Sequence, residues 1–156
     1  MKRHQQLQPL SRQHHNGLLA AMLLKKGIKK AADPKEMAAF ILDFWQKDLA
    51  EHFKAEEDFL LPPLYKTDFE KSLINILLQE HSQLRLYVNK LIQNSNDIES
   101  IALFADLLEQ HIRFEERQFF PTAEKSLSEE QLTEIGKHIH DGDTQNCMNY
   151  AIRFWE

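Results

Sequence analysis

A histidine, two glutamates and a proline recur at the same spacing in two stretches of this chain, His52-Phe-Lys-Ala-Glu56-Glu57-Asp-Phe-Leu-Leu-Pro62 and His111-Ile-Arg-Phe-Glu115-Glu116-Arg-Gln-Phe-Phe-Pro121. Residues four apart lie on the same face of an α-helix. Each stretch therefore points an imidazole and a carboxylate in one direction, along a face that is otherwise apolar. The repeat predicts two equivalent helices that carry His/Glu pairs into a shared core.

The composition agrees with a helical protein. The chain has 156 residues, of which 42% are hydrophobic, and only 4 are glycine and 5 are proline. Val88 is the single valine, so strand-forming residues are scarce. We predict an all-α fold, an antiparallel up-down-up-down four-helix bundle with a short fifth helix. One domain is expected over residues 1–156, with the core bundle at about 10–125 and a C-terminal helix and tail at 126–156.

Capping residues, glycines and prolines predict where the helices begin and end. The predicted helices run from near Ser11 to Lys26 before Gly27, from Pro34 to about Leu61, from Thr67 to about Gln93, from Asn96 to near Pro121 or shortly after, and from Ser128 to about His140.

Each of the four long helices places a histidine on its apolar face. His81 lies in the middle of a stripe on the third helix, and His52 and His111 lie on the second and fourth. In the first helix two residues compete for the position. His15 shares the spacing His-x-x-Leu with His81, whereas His14 aligns better with Leu7, Leu10 and Leu18.

The glutamates on these faces require a partner. An unpaired carboxylate in an apolar core is costly, so Glu56 and Glu115 must be neutralised. A salt bridge would need a lysine or arginine on a facing stripe, where only Arg85 is a candidate. Four histidines and two glutamates instead suit a pair of iron or manganese ions. The order of residues differs from the Glu-x-x-His pattern of ferritin-like bundles.

At these residues the chain resembles the hemerythrin-like family, whose domains are named for a His-His-Glu cation-binding motif. The resemblance covers about residues 10–125 and rests on the histidines and glutamates above. It implies a four-helix bundle around an oxo- or hydroxo-bridged di-iron centre, with zinc or manganese as substitutes. It also implies that His15 and His52 bind one iron, that His81 and His111 bind the other, and that Glu56 and Glu115 bridge them.

The chain departs from the oxygen-carrying members of that family. They have a further histidine one turn before the ligand on the third helix, where this chain has Leu77. Their last helix usually supplies an aspartate five residues after its histidine, where this chain has Glu115 at four. This four-histidine, two-glutamate variant is similar to members proposed for iron-centre repair, for nitric oxide or peroxide chemistry, and for sensing. Reversible oxygen carriage is therefore not expected.

Charge and hydropathy exclude several other classes of function. The net charge is −5 and basic residues form no continuous stripe, so no nucleic-acid partner is expected. The N-terminal residues contain no apolar run, and no segment has the length of a membrane span. A single cysteine, Cys147, rules out an internal disulfide. These features predict a cytoplasmic protein.

Two functions remain after these exclusions. The first is redox or small-ligand chemistry at a non-haem di-iron site, with O2, NO or peroxide as ligands, or the handling and repair of iron centres. The second is a regulatory module without turnover, in which metal occupancy controls the stability of the bundle and the binding of a protein partner. The sequence does not decide whether the protein is an enzyme, and it does not identify the protein partner.

Overall fold

Four long helices follow one another along the chain and pack side by side. The computed structural model describes residues 2–139 and 146–156, and no strand occurs within these ranges, so the all-α prediction is confirmed. The helices are α1 (Gln8–Lys29), α2 (residues 34–65), α3 (Lys71–Gln93), α4 (residues 98–126) and the short α5 (Glu129–Gly136). Two 3-10 turns, Gln5–Leu7 and Cys147–Asn149, flank them.

Helices α2 and α4 change their winding along their length. In α2, the α-helical segments Pro34–Phe44, Ala50–Ala55 and Leu61–Tyr65 are separated by the π-helical segments Trp45–Leu49 and Glu56–Leu60. In α4, the π segment Glu115–Phe119 lies between Ile98–Phe114 and Phe120–Ser126. Such segments occur mostly as single turns inside α-helices, and frequently at functional sites.

Several predicted boundaries are shifted. Gly27 does not end α1, which continues to Lys29. The glycine instead makes room for the ring of Phe154, which packs against it. A Cβ atom at Gly27 would lie 2.7 Å from Phe154 Cδ1. The helix predicted to open at Thr67 begins at Lys71 instead, since the Thr67 hydroxyl accepts a hydrogen bond from the Phe69 N–H and holds a turn there.

The prolines of α2 and α4 also fail to stop their helices. Pro62 follows the π segment Glu56–Leu60, and Pro121 follows Glu115–Phe119 at the same spacing. Each proline occupies the second position of the next segment, where the wide π turn already interrupts the α-type hydrogen-bond ladder. The missing N–H therefore costs little there. The fifth helix was predicted to extend to about His140. It ends at Gly136, and His140 lies outside the described residues.

Two apolar clusters fill the bundle, one at each end. The tail-side cluster contains residues such as Leu24 and Phe40, and the loop-side cluster contains residues such as Leu10 and Phe119. Along α1 and α3 the chain passes from the loop-side cluster to the tail-side cluster, and along α2 and α4 it passes in the opposite direction. Neighbouring helices in the order α1, α2, α3, α4 contact each other, and α4 packs back on α1. This arrangement is the predicted up-down-up-down bundle.

The C-terminal tail closes the tail-side end. Phe154 and Trp155 are buried there, with ring centroids 5.1 and 6.4 Å from that of Phe40. The turn Cys147–Asn149, which comes before these two rings, is held by Asn16 in the middle of α1. The Oδ1 atom of Asn16 accepts a hydrogen bond of 2.9 Å from the Cys147 N–H. No helix in the described part of the chain is long and apolar enough to cross a membrane.

Candidate metal centre

The buried histidine of α1 is His14, and this corrects the placement expected for His15. A stripe of buried residues runs along α1 at alternating spacings of three and four, through Leu7, Leu10, His14, Gly17, Ala21 and Leu24. His15 lies about 100° around the helix from this stripe, and its side chain is exposed. The His-x-x-Leu spacing shared with His81 was misleading, because the position equivalent to Leu84 is Gly17.

The other five predicted residues do converge. Two groups of four side chains could each hold a metal ion, with their ligand atoms within 4.8 Å of one another: His14, His52, Glu56 and Glu115, and Glu56, His81, His111 and Glu115. Every one of these six residues is buried. The two glutamates belong to both groups, so the structure places each of them between two pairs of histidines.

Glu56 spans the two groups most clearly. Its Oε2 lies 3.3 Å from His52 Nε2, and its Oε1 lies 3.1 Å from His81 Nε2. Glu115 turns its Oε1 toward three imidazoles, at 3.0 Å from His14 Nε2, 3.2 Å from His111 Nε2 and 3.8 Å from His52 Nε2. All four histidines therefore present Nε2 to the interior of the cluster.

Several of the inward atoms lack hydrogen-bond partners, whereas His14 Nε2 lies 3.0 Å from Glu115 Oε1 and 3.1 Å from His52 Nε2. Among the described residues, five buried side-chain atoms of this cluster have none: Glu56 Oε1, Glu56 Oε2, His81 Nε2, His111 Nε2 and Glu115 Oε2. Some of these atoms lie within hydrogen-bond distance of one another, but their directions do not meet hydrogen-bond geometry because they point toward common positions. Buried polar atoms without partners are rare in native proteins and call for an explanation such as a bound ion.

The outer nitrogens of the histidines are all held. His14 Nδ1 lies 2.8 Å from Glu116 Oε2, and His81 Nδ1 lies 2.5 Å from Glu57 Oε2. The second glutamate of each repeated stretch thus contacts a histidine of a neighbouring helix. We call His14 and His81 the lone histidines, and we call His52 and His111, which have a glutamate four residues later, the paired histidines. The residue before each lone histidine supports a paired one, with His52 Nδ1 2.6 Å from Gln13 Oε1 and His111 Nδ1 2.8 Å from Glu80 Oε1.

These outer contacts fix the chemistry of the rings. A histidine that donates from Nδ1 to an oxygen keeps its proton there and leaves Nε2 free as a metal ligand. The ring planes are fixed as well, because Phe53 stacks on His81 at 3.7 Å and Phe120 stacks on His14 at 5.5 Å between centroids. The sequence analysis missed these supporting residues, although the doubled glutamate in each repeat was a visible signal for two of them.

The π segments position the glutamates. Glu56 and Glu115 each open a π segment directly after the α-helical turns that carry His52 and His111. In α2, Leu60 is fully buried four residues after Glu56, while Phe59 stacks on His138 at 4.3 Å. The carboxylate and the apolar residue one turn later thus face the interior together.

The ionisation of the cluster shows how the protein balances its charges. Burial acts to lower the pKa of His52, but the negative charges of the adjacent Glu56 and Glu115 outweigh it and raise the pKa to about 10. For His111, burial is again opposed by Glu115, Glu80 and Glu56, and its pKa also rises to about 10. The pKa of Glu115 is lowered well below its usual value, since the surrounding histidines outweigh its burial. Protonated histidines can thus balance the negative charges of the glutamates when no metal cation is bound.

A small cavity adjoins the His14/His52 side of the cluster. Its volume is about 10 Å³, and residues on three helices line it, among them Gln13, Gly17, Asp48 and Ile112. Asp48 and Phe44 also line a second cavity of about 240 Å³ that lies between α2 and the C-terminal turn. The space beside the cluster has room for about one water molecule.

Comparison with known families identifies this arrangement. The model of the hemerythrin HHE cation-binding domain matches residues 4–141. The chain belongs to this family. Neither curated proteins nor solved structures gave a match. The hemerythrin-like domain of this chain thus has a cluster of His and Glu residues as its candidate cation site.

The donor set fits the cation that the hemerythrin-like family implies. The donors are four imidazole nitrogens and two carboxylates, and no thiolate is among them. This combination of donors suits iron, manganese or zinc. The partnerless inward atoms are the observation that supports this fit. Leu77, which takes the position of the additional histidine in oxygen carriers, is fully buried and belongs to the loop-side apolar cluster.

Proposed function

We propose that this hemerythrin-like protein binds two iron ions and performs redox chemistry on a small ligand, namely O2, NO or peroxide. The observation that carries the proposal is the pair of equivalent four-residue groups that share Glu56 and Glu115. Under this proposal, His14 and His52 hold one ion, His81 and His111 hold the other, and the two glutamates bridge them. His14 replaces His15 in this assignment because only His14 reaches the cluster.

Bound iron would supply a Lewis acid and a source of electrons. The chain's own residues do the rest. Glu57, Glu80 and Glu116 hold the Nδ1 protons of three histidines and so keep their Nε2 atoms directed inward. The apolar clusters on both sides exclude bulk water from the site. These contacts favour a rigid site whose reactivity depends on which ligand can enter.

The cavity beside His14 and His52 supports a small ligand. A volume of about 10 Å³ does not accommodate an organic substrate. Asp48 lines this cavity, and burial raises its pKa, while a hydrogen bond of 3.0 Å from Asn16 Nδ2 acts in the opposite direction. A carboxyl group of raised pKa at this place is suited to exchange a proton with a reduced oxygen ligand.

Metal analysis of protein from iron-replete cells, with an optical spectrum, tests the metal assignment. We expect about two iron atoms per chain, on the count of six ligands, and near-ultraviolet absorption from a bridged ferric pair. His15→Ala serves as a control that should not change the metal content. One tightly bound zinc ion without iron would overturn the di-iron proposal.

Stopped-flow mixing of the reduced protein with O2, NO or peroxide tests the reaction. We expect prompt oxidation by O2 that removal of oxygen does not reverse, because Leu77 cannot supply the further nitrogen ligand of the carriers. Reduced protein whose spectrum does not respond to any of the three ligands would refute the small-ligand proposal. A response that reverses with each removal of oxygen would indicate a carrier instead.

A further inference from the structure

The candidate metal centre is built twice, and the two copies differ at one position. His14 corresponds to His81, and His52 corresponds to His111, and the outer nitrogen of each contacts a side-chain oxygen. The centre has a first half around His14 and His52 and a second half around His81 and His111. In both halves the lone histidine, His14 or His81, contacts the second glutamate of a repeated stretch. The residue before the lone histidine supports the paired one, but it is Gln13 in the first half and Glu80 in the second.

This difference is one of charge. The Gln13 side chain offers a neutral amide oxygen to His52 Nδ1 at 2.6 Å, and Glu80 offers a carboxylate oxygen to His111 Nδ1 at 2.8 Å. Glu80 is buried, with 9% of its surface exposed. Its second oxygen accepts a hydrogen bond of 3.0 Å from the neutral amide of Gln110. A buried carboxylate acts at a lower effective dielectric than an exposed one, so its charge is poorly screened.

The glutamates that support the lone histidines each pair with an arginine. Glu116 pairs with Arg3 at 3.4 Å, Arg3 also pairs with Glu124 at 2.9 Å, and Glu57 pairs with Arg85 at 3.0 Å. The two arginines even lie over comparable rings, Arg3 over Phe120 and Arg85 over Phe53. Within the described residues no lysine or arginine pairs with Glu80. Among the groups that contact the outer nitrogens directly, the second half therefore has two carboxylates, whereas the first half has one carboxylate and one neutral amide.

A carboxylate that accepts from the outer nitrogen of a metal-binding histidine makes the inner nitrogen a stronger donor. Loss of such a partner typically weakens metal binding by about 10–100-fold. We propose that Glu80 makes the His81/His111 position the tighter of the two metal positions, and that it fills before the His14/His52 position. Glu80 acts through His111 and is thus a positioning residue. This inference rests on the proposed metal binding but not on the identity of the ligand that reacts there.

Anaerobic titration of the metal-free full-length protein with Co²⁺ tests the order of filling. Calorimetry should resolve two steps whose affinities differ by at least about tenfold. A crystal grown with one equivalent of Co²⁺ should show anomalous scattering mainly between His81 and His111. Glu80→Gln keeps the size of the side chain and an acceptor oxygen, and it should weaken the first step by about 10–100-fold.

Gln13→Glu is the matched variant in the other half. It should strengthen the second step until the two steps merge, and the double variant Q13E/E80Q should reverse the order of filling. Equal affinities in the unchanged protein, cobalt at His14/His52 first, or a first step that Glu80→Gln leaves unaltered would each overturn the inference. Two bound ions of equal affinity would leave the proposed function intact, whereas failure to bind any metal would overturn both.

Discussion

Protonated histidines neutralise the buried glutamates when no cation is bound. His52 and His111 have their pKa values raised from 6.5 to about 10, and the pKa of Glu115 lies well below its usual 4.5. The cluster therefore folds with its charges paired, and a metal ion must displace protons from Nε2 atoms. This pairing explains how a core with two glutamates at its centre can be stable before metal is loaded.

We expect the stability of the metal-free protein to fall as the pH rises above neutral. A histidine with a raised pKa in the folded state contributes its full stabilisation below pH 6.5 and loses it as the pH approaches 10. Glu115 has a lowered pKa, so its contribution is present above pH 4.5 and is lost in acid. Urea denaturation of chelated protein between pH 4 and 10, at intervals of roughly one unit, is the measurement. A free energy of unfolding that is greater at pH 9 than at pH 6 would contradict these pKa shifts.

His14 and His15 provide the sharpest test of the site. His14→Ala should lower the metal content strongly, because it removes one of four ligands in its group. His15→Ala, at the neighbouring exposed position, should leave it unchanged. Metal analysis of the two purified variants decides between them. Loss of metal in His15→Ala alone would mean that α1 turns by about 100° on metal binding.

The sequence predicted most of this cluster but not all of it. The stripes on three helices and the repeated spacing located His52, Glu56, His81, His111 and Glu115. They failed at His14, where a short motif outweighed a longer stripe of six buried positions. The contacts of Glu80 and Gln13 could not be predicted, since they depend on how neighbouring helices are rotated against each other, and no local pattern encodes this.

The π segments of α2 and α4 were not predicted from the sequence. Prolines at Pro62 and Pro121 predicted helix ends, yet both lie inside continuous helices after π segments. A helical period of 3.6 residues holds only within each segment, so periodicity alone cannot place the residues beyond Glu56. Glu56 and Glu115 each open a π segment and lie at the same spacing from the following proline.

Close packing between α1 and α4 makes Gly17 sensitive to substitution. A Cβ atom at Gly17 would lie 2.6 Å from Ile112 Cδ1. We expect Gly17→Leu to destabilise the metal-free protein by about 1–3 kcal/mol, through overpacking between these helices. Chemical denaturation measures this change. In the double variant with Ile112→Ala, the loss should be smaller than the sum of the single losses by at least about 1 kcal/mol. Additive losses would show that α1 and α4 adjust without strain.

The bundle as a whole is a layered structure, with polar residues between two apolar clusters. Each long helix contributes to the polar layer, and Glu56 and Glu115 contact histidines from other helices. Cations bound there would connect all four helices at their midpoint. Metal binding is then coupled to the unfolding of the whole domain rather than to a local segment.

Glu56→Ala should separate the stability of the fold from that of the metal centre. If metal binds only the folded state, free metal at about 1,000 times its dissociation constant adds about 4 kcal/mol, which raises the Tm of a domain of this size by on the order of 10 °C. Chelation should therefore lower the Tm of the unchanged protein and of Glu51→Ala, an exposed control on the same helix.

Glu56→Ala should show no response to the chelator, because it lacks a carboxylate that both metal positions share. Its Tm should lie below that of the metal-free unchanged protein, since removal of Glu56 leaves the buried, protonated His52 with one fewer opposite charge. Calorimetric scans with and without chelator measure all three proteins. A Glu56→Ala variant that still loses stability on chelation would show that Glu56 is not required for the metal centre.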